Sequence, residues 1–381
     1  MIRALFRFLR KKKFQYTPLV EVRIFRDRIL HNFLEFQKIL PSGTRIAPVL
    51  KSNAYGHGLV QVAECLKDVD IPFFAVDSYY EALVLRNEGV KTPLAVIGYT
   101  VKENIFQNKL KDISFTVISK EELIDITDTI SSPCRIHLKI DTGMHRQGIR
   151  LEDCGEVISL IQKNRNIILE GICTHFADAD NEDIEYTQTQ IHVWNIVVKA
   201  FRHAFPFIQF LHVAATCGSF FSKLIDANVM RLGIGLYGIA PCATLQNLKL
   251  LPVLEMRSMI SSVKKIERGD MIGYNGTYTA NTVMRIATVP VGYFEGVDRR
   301  LSNKGYVKIG DTCCPIIGRV SMNIITVDVS AVTEIKIGES VVVISSDAED
   351  KNSVKQIADI CDTIPYEILV HIPAPVRRII V

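Results

Sequence analysis

Eight short apolar runs rich in β-branched residues punctuate the first 235 positions of the chain: RIAPVLK, FFAVDS, PLAVIG, SFTVIS, RIHLKID, ILEGICTHF, FLHVAA and VMRLG. Longer stretches able to form helices separate them, after an opening segment LVEVRIFRDRILHNFLEFQKIL. Strands alternating with helices in this number are the order expected of an α/β chain folded as a (β/α)8 barrel of the TIM type, and a doubly wound open sheet is the other arrangement with that rhythm. Past about Ala240 the pattern changes. MRSMISSVKKI, MRIATVPVGY, GYVKIGDTCCPIIGRVS, IITVDVS and SVVVISS are strand-like and punctuated by Gly, Asn and Asp, with few long helical patterns before KNSVKQIADICDTI. The chain therefore divides into a basic arm at 1–17, a barrel at 18–245 and a mainly β domain at 246–381, joined near the polar, proline-flanked APCATLQNLKLLP.

Composition narrows the class. With 381 residues, 48% of them hydrophobic, the chain can bury a large core and reads as a soluble globular protein. Basic and acidic residues nearly balance at 45 and 41, and much of the net charge of +4 comes from Arg3, Arg7, Arg10 and Lys11 to Lys13, all ahead of the first acid, Glu21. The rest is near neutral, so a general nucleic-acid surface is not indicated. The arm itself, MIRALFRFLRKKKF, has Ile2, Leu5, Phe6 and Leu9 at helical spacing, so it is either a solvated tail or a weak contact with an anionic membrane surface. No run of about 18 apolar residues occurs and no signal-peptide pattern opens the chain, which places the protein in the cytoplasm. Nine scattered cysteines without a C-x-x-C pair read as reduced, mostly buried thiols.

In a barrel of this type the site forms at the carboxyl ends of the strands. The first run ends in Lys51 and continues to Tyr55; the fifth carries Lys139 and leads to Arg146; the sixth ends at His175; the seventh runs into HVAATCGS; the eighth carries Arg231. A lysine ending a buried strand is either a snorkelling side chain or a desolvated amine kept for imine chemistry. Cations, hydroxyls and backbone amides together suit an anionic cofactor and a carboxylate substrate. Metal-ligand spacing, a phosphate-binding P-loop and a G-x-S-x-G elbow are all missing from the sequence.

The motifs VLKSNAYGHG, LKIDTGMHRQGI, EGICTHFADAD, MRLGIGLYG, IGYNGTYTA, VPVGY and IGRVSMN occur in the order and approximate spacing of the alanine racemases, and from about residue 18 onward the chain resembles that family of pyridoxal 5′-phosphate (PLP) enzymes. The resemblance implies a cytoplasmic homodimer that interconverts L- and D-alanine, an isomerase supplying D-alanine for peptidoglycan. It implies that Lys51 holds the cofactor covalently and acts as one acid/base, and that Tyr274, entering the partner's site, acts as the other. Arg231 would face the pyridine nitrogen and His175 would hold Arg231 in place. Tyr55, Thr216 and the amides of Gly233 and Ile234 would bind phosphate. Arg146 and the Met322 main chain would engage the substrate carboxylate, and Tyr293 would line the approach to it. Lys139 matches a lysine often carbamylated in the family, an unmodified lysine paired with Asp141 being the alternative. Tyr278 is assigned to strand packing.

Three positions depart from the family pattern: Ala215 stands where asparagine is usual, Asn323 where aspartate is usual, and Ala374 where some members carry a phosphate-binding tyrosine. Each loses a hydrogen bond, worth about 0.5–1.5 kcal/mol when neutral. Alternatives to an alanine racemase are a racemase of serine or a longer amino acid, a PLP-dependent decarboxylase on the same barrel, and a non-catalytic PLP-binding protein. Against the decarboxylase, the chain has neither a triple-glycine loop nor an EPGR-type element.

Overall fold

A computed structural model of the chain describes residues 16–213 and 216–381, so most of the basic arm, and Ala215, lie outside the described residues. The described residues form two compact units: one takes Ile24–Leu254, Ser346–Ala348 and Ile380–Val381, the other 16–23, Glu255–Ser345 and Glu349–Ile379.

A short strand β1 (Glu21–Ile24) precedes the helix Arg26–Ile39. The barrel strands follow as β2 (Arg45–Pro48), β3 (Phe74–Val76), β4 (Leu94–Val96), β5 (Ile113–Val117), β6 (Cys134–Lys139), β7 (Ile167–Cys173), β8 (Phe210–Val213) and β9 (Val229–Leu232). Each overlaps one of the eight apolar runs. They pair in parallel in the order β2-β9-β8-β7-β6-β5-β4-β3, and a parallel bridge between Val49 and Ala75 joins the two ends of that sheet. β3, β4 and β5 are buried at every position, as continuous apolar strands covered on both faces should be. Helices on the outside start where sequence chemistry favours it. Ser78 Oγ accepts from Glu81 N at 3.2 Å and Ser119 Oγ from Glu122 N at 3.1 Å, satisfying amide groups that the first helical turn leaves without partners.

The second unit holds β10 (Leu254–Met259), β11 (Ser262–Ile266), β12 (Met271–Ile272), β13 (Tyr278–Thr279), β14 (Met284–Val289), β15 (Tyr306–Ile309), β16 (Thr312–Pro315), β17 (Ile325–Asp328), β18 (Ser340–Ile344) and β19 (Arg377–Ile380). Its main sheet has the order β16-β15-β18-β10-β1-β19, beside a three-stranded sheet β11-β14-β17 and a hairpin β12-β13. Ile272, Ala280, Met284, Ile286 and Ile317 form a core here, with Tyr278 packed against it.

Two readings from sequence need correction. The sequence pattern places the segment from residue 18 in the barrel and starts the second domain at 246. In the structure β1 is a strand of the β unit's sheet, and that unit resumes at Glu255. The alternation that buries Val22 and Ile24 belongs to β-sheet packing, and one strand followed by a helix looks the same in either domain. The cysteines are not all reduced: Cys217 and Cys242 form a disulfide, their Cα atoms 6.3 Å apart, and the other seven are free thiols. The two are brought together by the fold across 25 residues, a pairing that no local spacing announces. Among the described residues no helix is long and apolar enough to cross a membrane.

Candidate active site

β2 stops at Pro48, and Lys51 is the third residue beyond the strand rather than its last. Immediately after it, Ser52, Asn53, Ala54 and Tyr55 have φ of 57°, 55°, 53° and 52°, a left-handed turn built from residues other than glycine. Such a conformation costs roughly 1–2 kcal/mol per residue and persists only where the surroundings impose it. Here the turn is held by Ala54 N to Leu50 O at 2.7 Å, Gly58 N to Asn53 O at 2.9 Å, Asn53 N to Glu81 Oε1 at 3.1 Å and Leu59 N to Asn53 Oδ1 at 2.9 Å. The turn fixes Lys51 at its start and Tyr55 at its end, one reverse-handed coil apart. Nothing in the sequence signals it beyond an asparagine and the two glycines that follow.

Lys51 and Tyr55 open onto a cavity of about 380 Å³ within the barrel, also lined by Lys139, Arg146, His175, Arg231 and Gly233. All seven were named from sequence. The lining holds four permanent or potential cations, Lys51, Lys139, Arg146 and Arg231, against one carboxylate, Asp77. Their combined field is visible at His175: burial, then Arg231, Arg146, Lys139 and Lys51, push its imidazole down to about 3, so it is neutral near pH 7. Lys51 Nζ has no hydrogen-bond or ion-pair partner among the described residues. Arg146 is exposed.

Lys139 does not pair with Asp141. Its amine donates to Gln147 Oε1 at 3.0 Å, while Asp141 accepts from the amides of Gly143 and His145 at 3.0 and 3.1 Å. Burial and the neighbouring Arg146, Arg231 and Lys51 lower the Lys139 pKa, partly opposed by Cys173.

Arg231 is buried, and His175 is not what holds it. Its guanidinium donates to Thr174 O at 2.6 Å, to His212 O at 3.0 Å and to His212 Nδ1 at 2.8 Å. The partner is His212, inside β8, and not His175, which the family resemblance assigns and which follows β7. The available signal was an ionisable residue within the otherwise apolar run FLHVAA.

Gly233 and Ile234 lead into a short 3-10 turn, Ile234–Tyr237, and their amides find no acceptor among the described residues. A methyl added at Gly233 would lie 2.7 Å from Tyr55 Oη and 3.9 Å from Thr216 Oγ1. Thr216 and Ile234 are buried just behind the cavity wall, where Thr216 Oγ1 accepts from Gly235 N at 3.0 Å and keeps its own proton for another partner. Thr116 Oγ1, also buried in the lining, has no partner among the described residues. Orphaned amides, unsatisfied hydroxyls and a cationic wall fit a phosphorylated, anionic small molecule bearing a group that reacts with an amine.

Tyr274, Tyr293 and Met322 belong to the β unit and are exposed. Tyr293 N donates to Ser321 O at 3.1 Å and Phe294 N to Met322 O at 2.9 Å, which ties Tyr293 to the Met322 loop. In that loop Asn323 Nδ2 donates to Glu295 Oε1 at 2.7 Å, a bond an aspartate could not make without protonation.

A closed parallel barrel that gathers an unpaired lysine, three further cations and free backbone amides beyond the strands' carboxyl ends has its cavity where barrel enzymes carry their active sites. Comparison with known proteins makes the assignment specific. Residues 24–241 match the family described as alanine racemase, N-terminal domain, and residues 253–380 match alanine racemase, C-terminal domain. The chain is similar to alanine racemase 1 of Caldanaerobacter subterraneus subsp. tengcongensis, at 32% identity covering 96% of both chains. Among solved structures it is similar to the alanine racemase of Clostridium difficile 630, with a TM-score of 0.89, 31% identity and coverage of 96% and 97% of the two chains. It also resembles the Bacillus anthracis alanine racemase with bound L-Ala-P, with a TM-score of 0.88, 30% identity and coverage of 97% and 96%. The chain belongs to the alanine racemase family.

Proposed function

We propose that the chain is a PLP-dependent isomerase that interconverts L- and D-alanine by moving a proton at Cα between two protein groups. The observation that carries this reading is the cavity in which the partnerless Lys51 amine shares a wall with Arg231, Arg146, Tyr55 and Gly233. When bound, PLP supplies an aldehyde that captures amines and a ring that withdraws electron density from Cα. Lys51 holds or returns the proton on one face of Cα. Tyr274 of the partner subunit holds it at its phenolic oxygen on the other, so the working form is a homodimer. Two positioned groups allow removal on one face and delivery on the opposite one without rotating the substrate.

Arg231 would face the pyridine nitrogen, where a permanent cation would disfavour protonation and so limit side reactions. Tyr55, the Thr216 hydroxyl and the amides of Gly233 and Ile234 would take the phosphate. Arg146 and the Met322 main chain engage the substrate carboxylate, with Tyr293 lining the approach. A carbamylated Lys139 would present an anion that braces Arg146, and its lowered pKa leaves more of the neutral amine that carbon dioxide needs. The protein acts in the cytoplasm and supplies D-alanine for peptidoglycan.

Incubation of the purified protein with PLP and L-alanine tests the reading. D-alanine must accumulate to an equal mixture. Carbon dioxide in its place identifies a decarboxylase, and cofactor absorbance with no turnover a carrier. A panel of other L-amino acids, serine first, tests whether alanine is the preferred side chain.

A further inference from the structure

Behind Arg231 a line of buried polar side chains crosses the barrel interior towards the amino ends of the strands. His212 Nδ1 stands 2.8 Å from Arg231 Nη1, and His212 Nε2 stands 2.8 Å from His137 Nδ1. His137 Nε2 is buried without a hydrogen-bond partner and faces the Glu170 carboxylate at 3.5 Å. Glu170 in turn accepts from Ser114 and, at 2.8 Å, from Arg135 Nη1, where a small second cavity of about 130 Å³ lies. Phe73 packs edge-on against both imidazoles, at 5.5 Å from His137 and 5.3 Å from His212.

The proton positions in this line follow from one fact. A guanidinium only donates, so His212 Nδ1 must accept. The proton of neutral His212 is then on Nε2 and is donated to His137 Nδ1. His137 therefore carries its own proton on Nε2, aimed at Glu170. Each imidazole is thereby held in one tautomer, between a cation at one end of the line and a carboxylate at the other.

We infer that Glu170 is a positioning residue for Arg231, acting through His137 and His212 to hold the guanidinium in a single orientation towards the cavity. The inference rests on the proposed contact between Arg231 and the cofactor ring. Charges agree with it: burial raises the Glu170 pKa, but His137, Ser114 and Arg135 outweigh burial and bring it down to about 2, so the carboxylate is ionised. Burial, with the Arg231 cation beside it, drives the His212 pKa far below its usual value, so that ring is neutral.

Glu170→Gln tests the relay in the holoenzyme. Glutamine keeps the shape but removes the charge, and its amide can donate as well as accept, so His137 is no longer forced into one tautomer. Imidazole nitrogen NMR of histidine-labelled protein, assigned with His212→Asn, should show His212 protonated only on Nε2 in the parent and a mixture of tautomers in E170Q. With it, kcat should fall about tenfold while KM changes less than about threefold, the loss typical of an outer-shell partner. A parent His212 protonated on Nδ1, or E170Q spectra and kcat equal to the parent's, overturns the inference. If the nitrogen signals move while kcat does not, the positioning role is overturned. Arg231→Lys separates the two premises: unaltered cofactor absorbance and kcat in that variant mean that the reading of Arg231 has failed, while the nitrogen signals still judge the relay.

Discussion

Replacing Gly233 by alanine puts the proposed phosphate cradle to its most direct test. The added methyl would sit 2.7 Å from Tyr55 Oη, 3.4 Å from Tyr55 Cζ and 3.9 Å from Thr216 Oγ1, between groups assigned to the phosphate. Tyr55 has little room to withdraw. Its backbone is in the left-handed turn, its side chain is buried, and its ring lies 5.1 Å from that of Tyr237, whose hydroxyl is anchored to Val49 O at 2.8 Å. Overpacking of this kind costs about 1–3 kcal/mol in stability. Displacing the Tyr55 hydroxyl removes one hydrogen bond to a charged phosphate, about 1.5–3 kcal/mol, which weakens PLP binding by roughly 10- to 150-fold. Absorbance or fluorescence titration of cofactor-free protein with PLP measures the second effect, and thermal unfolding of the same protein measures the first. If Gly233→Ala folds and binds PLP as tightly as the parent, the phosphate does not lie where Gly233, Tyr55 and Thr216 converge.

Lys51→Ala should abolish the visible absorbance that develops when PLP is added, and a full band in the variant would sink the lysine assignment. Tyr274→Phe should keep the cofactor bound yet slow racemisation, whereas equal turnover in variant and parent would remove Tyr274 from the mechanism. Stability should depend on pH in a defined direction. His175 and His212 are held below their ordinary value of 6.5, His175 at about 3, so the unfolded chain binds protons that the folded one refuses. Their contribution is complete above about pH 6.5 and is lost as pH falls towards the folded values. Glu170, lowered from 4.5 to about 2, adds a loss over that lower range. Thermal melts of the cofactor-free protein should decline from about pH 6.5 downward, less steeply in His175→Asn, and a melting temperature flat from neutrality to about pH 4 contradicts the assignment.

Much of the barrel was legible because its strands are buried on both faces, which writes them as unbroken apolar runs such as FFAVDS and PLAVIG. The cavity's cations were legible for a related reason: a charge at the end of such a run is costly to desolvate, so it persists where a bound anion or a reaction needs it. What the sequence hid is non-local. β1 is sorted by partners more than 200 residues away in the chain, and Cys217 finds Cys242 only once the β8 and β9 segments are in place. The choice of His212 over His175 beside Arg231 turns on which strand neighbours β9, and β8 pairs with it directly. The left-handed turn after Lys51 opposes local preference, so residue propensities point away from it, as is common where a backbone serves a site.

The order of the strands also bears on how the nascent polypeptide assembles. β1 emerges early, but its sheet neighbours β10 and β19 are made only after the whole barrel has been translated. Phe25 N bonds Val253 O at 3.0 Å, so a finished barrel delivers the two chain segments that become β1 and β10 side by side. The barrel is thus a guest inserted into its neighbour's sequence, and once folded it acts as a clasp that removes most of the entropic penalty of joining such distant strands.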